Sequence, residues 1–348
     1  MHPKQLFEKI RLIFSLPATS PFGLVVIGMI GVLIYFAPQV NPNDWEINTS
    51  QLFNGLSIYV DGEFLYPPWS LLLLWPYRLI QSYGARLFAL LVAAWLASSR
   101  GWSLGRLLSI VFNALFIYAI MFSNLDMLVL TFPVLLWEQS RNWSGSWFFW
   151  GVSISLMLLK PQGMIFLLPY LIYQRRQQKQ KLLYAVLVTL LITVPISLVG
   201  SPPMFLQWFN NIFSPTSANQ HHFGTNNISL VSRVGWLWGP LIVAAVFYGV
   251  YALMKLRDRS WTQNHSYASL LLASMLVSPY TSSQSAIAGL VFVPSWWATI
   301  LQYMVLALVI GTSLSENLSL SPLWILLFGF ISMWFYQVKP SGQKSPNA

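Results

Sequence analysis

Long apolar runs alternate with short polar segments along almost the whole chain. Because a helix needs roughly 20 mostly apolar residues to cross the hydrocarbon core of a bilayer, this pattern predicts an all-α fold. We expect a polytopic transmembrane helical bundle of about ten to twelve spans. No repeat or polar insert interrupts the runs, which predicts a single domain over 1–348. The apolar runs lie near 22–38, 67–81, 85–99, 104–122, 126–138, 145–173, 182–199, 236–254, 266–279, 285–312 and 320–337.

Two of these runs decide the predicted topology. If 67–81 crosses the membrane and 145–173 is one helix, Lys160 lies in hydrocarbon at a cost of about 2.5–3.5 kcal/mol. If 67–81 instead lies at the outer interface, and 145–173 forms two short helices that meet at Lys160, the lysine reaches the outer surface. We favour the second arrangement, which also turns basic residues inward as the positive-inside rule prefers. These residues are Arg100, Arg106 and Arg141.

Composition supports a bilayer as the main solvent. The chain is 56% hydrophobic and 8% charged, whereas soluble domains have roughly 25% charged residues. The net charge of +10 comes from short basic clusters between apolar runs, which is the pattern of cytoplasmic loops and not of a nucleic-acid surface. We therefore expect a multi-pass protein of the cell membrane, with an uncleaved first span near 22–38 and no nucleic-acid partner.

The first predicted outer loop, 39–84 with its juxtamembrane segment, gathers acids. Asp44 and Glu46 lie just beyond the first span, and no basic residue occurs between Arg11 and Arg78. In extended backbone, residues i and i+2 point the same way, so both carboxylates could address one site as catalytic residues. A carboxylate there can act as general base on a sugar hydroxyl. The alternative interpretation is an acidic loop that is simply solvated.

The second large predicted outer loop, 200–235, begins with an amphipathic pattern. Apolar residues in 203–213 recur at helical spacing, which indicates a helix lying flat in the interface. The polar stretch behind it contains His221 and His222, followed by Arg233. These three side chains are candidates for binding a phosphate or sugar. The alternative is a connector without chemistry.

A metal site is not expected. Adjacent histidines point in different directions, and a zinc site needs three or four ligands. The chain has no cysteine, and its other histidines are His2 and His265, both in predicted cytoplasmic segments. No Walker, GxGxxG, GxSxG or HExxH motif occurs, which removes nucleotide-driven chemistry and triad hydrolysis.

Lys160 is the most unusual cation of the chain, since it lies between apolar runs and precedes Pro161. A lysine in this position can bind a phosphate as a point charge. The alternative is a lysine that merely snorkels to the surface.

The order of several short motifs resembles the C-type (GT-C) fold of integral-membrane glycosyltransferases. It is most similar to glycosyltransferase family 87, the polyprenol-phosphate-mannose-dependent α-mannosyltransferases and their bacterial relatives. The motifs are Asp44 after the first span, FLYPPW at 64–69, SNLD at 123–126, LKPQG at 159–163, NNIS at 226–229 and VSPYTSSQ at 277–284.

The resemblance implies a lipid-phosphate sugar donor, an acidic base in the first outer loop and no obligatory metal or other cofactor. Asp44 would be the base, and Lys160 would lie near the donor phosphate with Asp126 lining the site. Tyr66 and Gln284, inside two of the shared motifs, would bind substrate. Relatives often carry an aromatic residue and an acid or histidine after the SPY segment, where this chain has TSSQ at 281–284.

These observations predict a hexosyltransferase that moves a mannose-like sugar from a polyprenyl phosphate to an acceptor hydroxyl on the extracytoplasmic face. The acceptor would be a glycan, glycolipid or protein. Two alternatives stay open: a transporter or flippase for lipid-linked sugars, and a non-catalytic membrane scaffold. A transporter would be expected to show inverted repeats and polar groups at span centres.

Overall fold

The fold was analysed in a computed structural model that describes 3–37, 66–76, 81–213, 230, 234–235, 237–256, 262–278, 281, 283–312 and 322–336. Within these ranges all regular elements are helical, and the remaining backbone pairing is an isolated bridge between Pro17 and Ser103. The prediction of an all-α fold is therefore confirmed.

The α-helices are numbered here in chain order. The first eight are α1 (Pro3–Ser15), α2 (Pro21–Phe36), α3 (Ser70–Leu73), α4 (Gln81–Ser99), α5 (Leu104–Val111), α6 (Ala114–Met121), α7 (Phe132–Gln139) and α8 (Ser146–Met157). The next eight are α9 (Leu167–Gln174), α10 (Lys179–Ser197), α11 (Met204–Phe213), α12 (Trp238–Leu256), α13 (Gln263–Val277), α14 (Ile287–Leu290), α15 (Trp296–Thr312) and α16 (Pro322–Phe335). A π-helix (Met127–Thr131) precedes α7, and 3₁₀ turns occupy Ser140–Asn142, Pro161–Met164 and Ser283–Ala286.

The helices differ in whether they are long enough to cross a membrane. Among the described residues, α10 is long and apolar enough to cross a membrane, and α5 with α6 would make a second span if this pair, bent by 58°, is one unit. Other apolar helices, such as α2 and α8, have 10–17 residues. The number of ten to twelve spans stays a prediction.

The core is built around α13, which is buried along almost its whole length and packs against the 3₁₀ turn at 161–164, α12, α14 and α16. On one side of the bundle α8 packs against α10. The contact is close because residue 151 is glycine: a Cβ there would lie 2.6 Å from Val188 Cβ and 2.7 Å from the Ala185 carbonyl oxygen. A larger residue would force these two helices apart.

Several helices begin or end together at each end of the bundle. At the end that we call the lysine end, α2 finishes next to Ala37, and Ser123, Asp126 and Lys160 lie in helix breaks. Arg86 of α4 connects the ends of α2 and α6 here. Its Nη1 donates to the Ala37 carbonyl at 2.7 Å, and its Nε donates to Ser123 Oγ at 3.0 Å.

The opposite end, which we call the arginine end, contains the Pro17–Ser103 bridge and an ion pair. Arg100, just after α4, donates from Nη1 and Nη2 to the two carboxylate oxygens of Glu138, at 2.8 and 2.5 Å. Both ends of the bundle are thus fastened by guanidinium groups.

The apolar runs break where their sequence weakens helical bonding. Run 145–173 forms two helices that meet at Lys160, as predicted, because Pro161 cannot donate a backbone hydrogen bond. Run 104–122 bends at Asn113, whose side chain caps α6 by accepting from the Leu115 N–H. Run 285–312 is divided into α14 and α15.

Candidate active site

Lys160 occupies the break between α8 and the following 3₁₀ turn. Its backbone adopts φ −128° and ψ 69°, outside the α-helical region that a following proline disfavours. Its side chain is 18% exposed. The lysine head group therefore reaches the surface at the lysine end.

The Lys160 ammonium contacts Asp126, whose side chain is fully buried. Nζ lies 2.5 Å from Asp126 Oδ1. The second oxygen, Oδ2, accepts from the Ser285 hydroxyl at 2.5 Å. Both carboxylate oxygens are therefore engaged, so Asp126 is suited to hold Lys160 in place and poorly placed to take a proton from a substrate.

A tight loop positions Asp126 in front of the π-helix. The Asn124 side chain accepts from the Asp126 N–H at 2.7 Å, a local turn typical of asparagine. The π-helix follows directly, with the Phe132 N–H bonded to the Met127 carbonyl. Single π-helical turns occur frequently at functional sites, and Pro133 at the start of α7 cannot donate a competing bond.

Close packing brings the Lys160 turn against this π-helix. Gly163 lies within the 3₁₀ turn, and a Cβ added there would lie 2.8 Å from Leu130 Cδ2. Glycine thus allows the close approach that joins Lys160 to Asp126. The turn is also fixed from the other side, where the Phe166 N–H donates to Ser274 Oγ of α13 at 2.9 Å.

Ser123 ends α6 in a strained conformation. The Ser123 N–H bonds to the Ile120 carbonyl and the Asn124 N–H bonds to the Ala119 carbonyl, the pattern of a Schellman motif. The residue after such a helix end is usually glycine, yet Ser123 has φ +50°. Its hydroxyl compensates by accepting from buried Arg86 at 3.0 Å.

Tyr66 completes the described part of the site. Lys160 Nζ lies 5.9 Å from the centre of the Tyr66 ring, within the range of a cation–π contact. Trp69, three residues later, packs edge-on against Trp208 of α11, with 6.0 Å between ring centres. An aromatic surface therefore lies beside the ammonium.

The model of glycosyltransferase family 87 matches residues 64–279, more than half of the 348 residues. The chain belongs to glycosyltransferase family 87. No curated protein and no solved structure matches it. The matched region contains Tyr66, Asp126 and Lys160, so these three described residues lie within the part of the chain that carries the glycosyltransferase family signature.

The structure brings together some of the site residues predicted from sequence. Tyr66, Asp126 and Lys160 form one contact group at the lysine end. Gln284 lies in the 3₁₀ turn next to Ser285, although its side chain is outside the described residues. The other predicted site residues also lie outside the described ranges, namely Asp44, Glu46, His221, His222 and Arg233.

Two residues of this site were not predicted from the sequence. Ser285 was missed because a single hydroxyl residue after the SPY segment carries no pattern of its own. Arg86 is 1% exposed and joins two helix breaks, a role that its charge alone does not indicate. The signal that could have found Arg86 is its place inside an apolar run, as for Lys160.

An anion is the ligand that this arrangement suits. One Asp126 oxygen accepts from the Lys160 ammonium and holds it in place. Positive charge held in place at a partly dry site stabilises developing negative charge strongly. Among the described residues no group of three or more His, Cys, Asp or Glu side chains could hold a metal ion.

Proposed function

We propose that the protein is a multi-pass membrane glycosyltransferase of the C-type fold that uses a polyprenyl-phosphate-linked sugar as donor. It transfers a hexose, mannose-like, to a hydroxyl of a glycan, glycolipid or protein at the extracytoplasmic face of the cell membrane. The observation that carries this proposal is Lys160, a cation fixed by buried Asp126 and reaching the surface at the lysine end of a family 87 protein.

The exposed faces of the helices support a lipid environment. Leu33 and Phe36 of α2 are 70% and 77% exposed, and Leu191 of α10 is 73% exposed. Large apolar side chains at such exposure are costly in water and favourable in lipid. A 16-residue helix such as α2 is about 24 Å long, so a short helix needs flanking turns to cross a hydrocarbon core of about 30 Å.

The path of the chain supports a role for the acidic loop. The segment with Asp44 and Glu46 leaves the described structure at Ala37 and re-enters it at Tyr66, and both of these residues lie at the lysine end. Asp44 is seven residues beyond Ala37, which limits its distance to about 25 Å. The chain is therefore short enough for Asp44 to reach the lysine end, where we propose that it acts as the base.

The same argument applies to the second loop. The Leu230 N–H bonds to the Leu276 carbonyl at 2.8 Å, near the end of α13 that leads to Ser285. His221, His222 and Arg233 lie at most nine positions from Leu230 along the chain, which supports keeping them as additional proposed contacts of the donor.

The proposed reaction inverts the configuration at the anomeric carbon of the sugar. Asp44, or Glu46 two residues later, takes the proton from the acceptor hydroxyl. The acceptor oxygen attacks the anomeric carbon, and the bond from that carbon to the phosphate oxygen breaks with its electron pair leaving on the phosphate. Lys160, held by Asp126, stabilises the additional negative charge on the leaving phosphate.

Transfer by purified protein in liposomes tests this function, with labelled polyprenyl-phosphate mannose and an alkyl glycoside acceptor. Asp44→Asn is expected to lower the rate by about 10²–10⁴-fold. The matched control Asp61→Asn should leave it nearly unchanged. Lipid movement without product would support a flippase instead, and absence of both would support a scaffold.

The predicted orientation has its own test. The chain has no cysteine, so single cysteines at Tyr83, which is exposed, and Ser103 can be labelled with an impermeant maleimide in intact cells. A cysteine at position 83, near the lysine end, should be labelled, and one at position 103, at the arginine end, should be protected. The reverse pattern would place the lysine end in the cytoplasm and contradict the proposed orientation.

A further inference from the structure

Arg175 is a buried arginine at the arginine end, where it directly follows α9. The residue is 6% exposed. Its Nε is fully buried without a hydrogen-bond partner, while Nη1 and Nη2 keep access to the surface and donate to no described residue. A guanidinium has five N–H donors, and leaving such donors unpaired in a buried position is costly. Arg175 therefore offers donors that another molecule can use.

The carboxylate that acts on Arg175 is already engaged by another arginine. Burial and the charge of Arg141 lower the pKa of Arg175, while Glu138 acts in the opposite direction. Both oxygens of Glu138 accept from Arg100. Three arginines therefore share one carboxylate, and the group carries excess positive charge. An anion is the ligand that would balance this charge.

Trp150 of α8 fixes the position of the Arg175 guanidinium. The guanidinium carbon lies 5.7 Å from the centre of the Trp150 ring, within the range of a cation–π contact. Trp150 is itself fully buried and stacks on Trp137 of α7, with 5.0 Å between the ring centres. A guanidinium held in this way is preorganised to donate from two nitrogens to two oxygens of a phosphate.

Two further polar residues lie close to Arg175. The Gln178 backbone N–H donates to the Arg175 carbonyl at 2.8 Å, and the Gln178 Oε1 atom is buried without a partner. Because amide oxygen and nitrogen can be exchanged by a flip, Gln178 can offer either an acceptor or a donor. Arg141 is exposed and close enough to Arg175 to act on its charge. It can therefore approach the same anion from the surface.

The neighbouring surface favours a membrane lipid as the source of the anion. Trp147, one turn before Trp150 on α8, is exposed and packs edge-on against Tyr184 of α10, with 6.0 Å between the ring centres. Tryptophan and tyrosine are enriched at the level of lipid head groups. Further along α10, large apolar side chains are exposed at helical spacing, namely Leu183, Leu187 and Leu191. Acyl chains can lie against this stripe.

We propose that Arg175 and Arg141 bind the phosphate of an anionic phospholipid at the membrane surface of the arginine end. Trp147 lies at the level of the head group, and the acyl chains follow α10. The site is separate from Lys160 and shares only the membrane setting with the proposed transfer reaction. A soluble phosphate ester has the same phosphate chemistry, and the experiment below distinguishes the two sources.

Binding to the full-length protein, purified in a neutral detergent, tests this proposal without any transfer reaction. Short-chain phosphatidylglycerol is titrated, with phosphatidylcholine of the same chain length as the neutral control and glycerol 3-phosphate as the soluble ester. Arg175→Gln removes charge-assisted hydrogen bonds and should weaken binding of phosphatidylglycerol by at least about tenfold. Arg141→Gln should weaken it in the same direction, and because Arg141 is exposed this variant should keep its fold.

Arg176→Gln is the matched control, since Arg176 is the next residue, is exposed and contacts Tyr173 of its own segment. It should change the dissociation constant by less than about twofold.

A local probe separates this site from Lys160. A nitroxide attached through Ser144→Cys, at an exposed residue near Arg141, should speed the phosphorus relaxation of bound phosphatidylglycerol more than one attached through Tyr83→Cys near the lysine end. Absence of sugar transfer would leave this result unchanged. The proposal is overturned if phosphatidylcholine or glycerol 3-phosphate binds as tightly as phosphatidylglycerol, if Arg176→Gln weakens binding as much as Arg175→Gln, or if the two nitroxides act equally.

Discussion

At the lysine end the carboxylate of Asp126 is completely buried while the Lys160 side chain is 18% exposed. At the arginine end the partners are nearly equal, with Arg100 17% and Glu138 14% exposed. Lys160 donates to one oxygen of Asp126, whereas Arg100 donates to both oxygens of Glu138. In the first pair, a buried carboxylate holds a partly exposed ammonium. In the second pair, the two partners are about equally exposed and satisfy each other.

The surroundings of the two pairs differ as well. Arg175, near Glu138, has its pKa lowered by burial and by the charge of Arg141, while Glu138 acts in the opposite direction. Glu138 thus compensates more than one guanidinium. Loss of a single cation should therefore destabilise the protein more at the lysine end, where Asp126 is buried, than at the arginine end.

The largest expected effect is the loss of the lysine itself. Lys160→Met leaves a buried carboxylate without the cation that contacts it, which typically costs about 3–5 kcal/mol of unfolding free energy. Asp126→Asn should cost less, because the lysine can turn toward water. Thermal unfolding of the detergent-purified variants measures the difference.

A double variant separates charge from shape in this prediction. Asp126→Asn with Lys160→Met removes both charges, and the amide oxygen introduced by the first substitution can still accept from Ser285. The double variant should be more stable than Lys160→Met alone. Equal stability of the two would show that the ion pair is not what holds this end together.

A smaller effect is expected at Ser123. Its substitution tests whether the hydrogen bond with Arg86 offsets the backbone strain of the serine. Ser123→Ala removes the hydroxyl that accepts from Arg86 and keeps the strain, at a cost of about 1–3 kcal/mol. Ser123→Gly loses the same bond but relieves about 1 kcal/mol of backbone strain. Unfolding midpoints should therefore fall in the order wild type, glycine variant, alanine variant. An alanine variant as stable as wild type would refute this role for the hydroxyl.

The smallest effect is expected at the arginine end. Arg100→Gln removes a partly exposed partner and leaves Glu138 near Arg175, so the loss should be about 0.5–1 kcal/mol. The same unfolding experiment applies. If Arg100→Gln destabilised the protein as much as Lys160→Met, the contrast between the two ends would be wrong.

The sequence was sufficient to predict features that depend on a local signal, such as a proline or an amphipathic pattern. Pro161 breaks run 145–173, and the structure confirms two helices that meet at Lys160. The amphipathic pattern in 203–213 predicted a helix, which the structure confirms as α11. In both cases the signal is local, since one backbone donor is absent or one face is apolar.

Other features depend on contacts between distant residues and could not be predicted. The π-helix lies in an apolar pattern that is typical of an ordinary α-helix, and the positive φ of Ser123 occurs at a serine, where glycine would be the usual signal. Ser285 reaches Asp126 from 159 positions away. The assignments of Asp44 and Glu46 stay predictions, since these residues lie outside the described ranges.

The central claim is that Lys160 binds the phosphate of a lipid-linked donor. Its most direct test is the affinity for a polyprenyl phosphate, measured for wild type and for the variant with Asp126→Asn and Lys160→Met, which keeps the fold without the charges. This double variant should bind at least about tenfold more weakly than wild type, while Arg176→Gln should bind normally. Unchanged affinity in a folded double variant would contradict the claim.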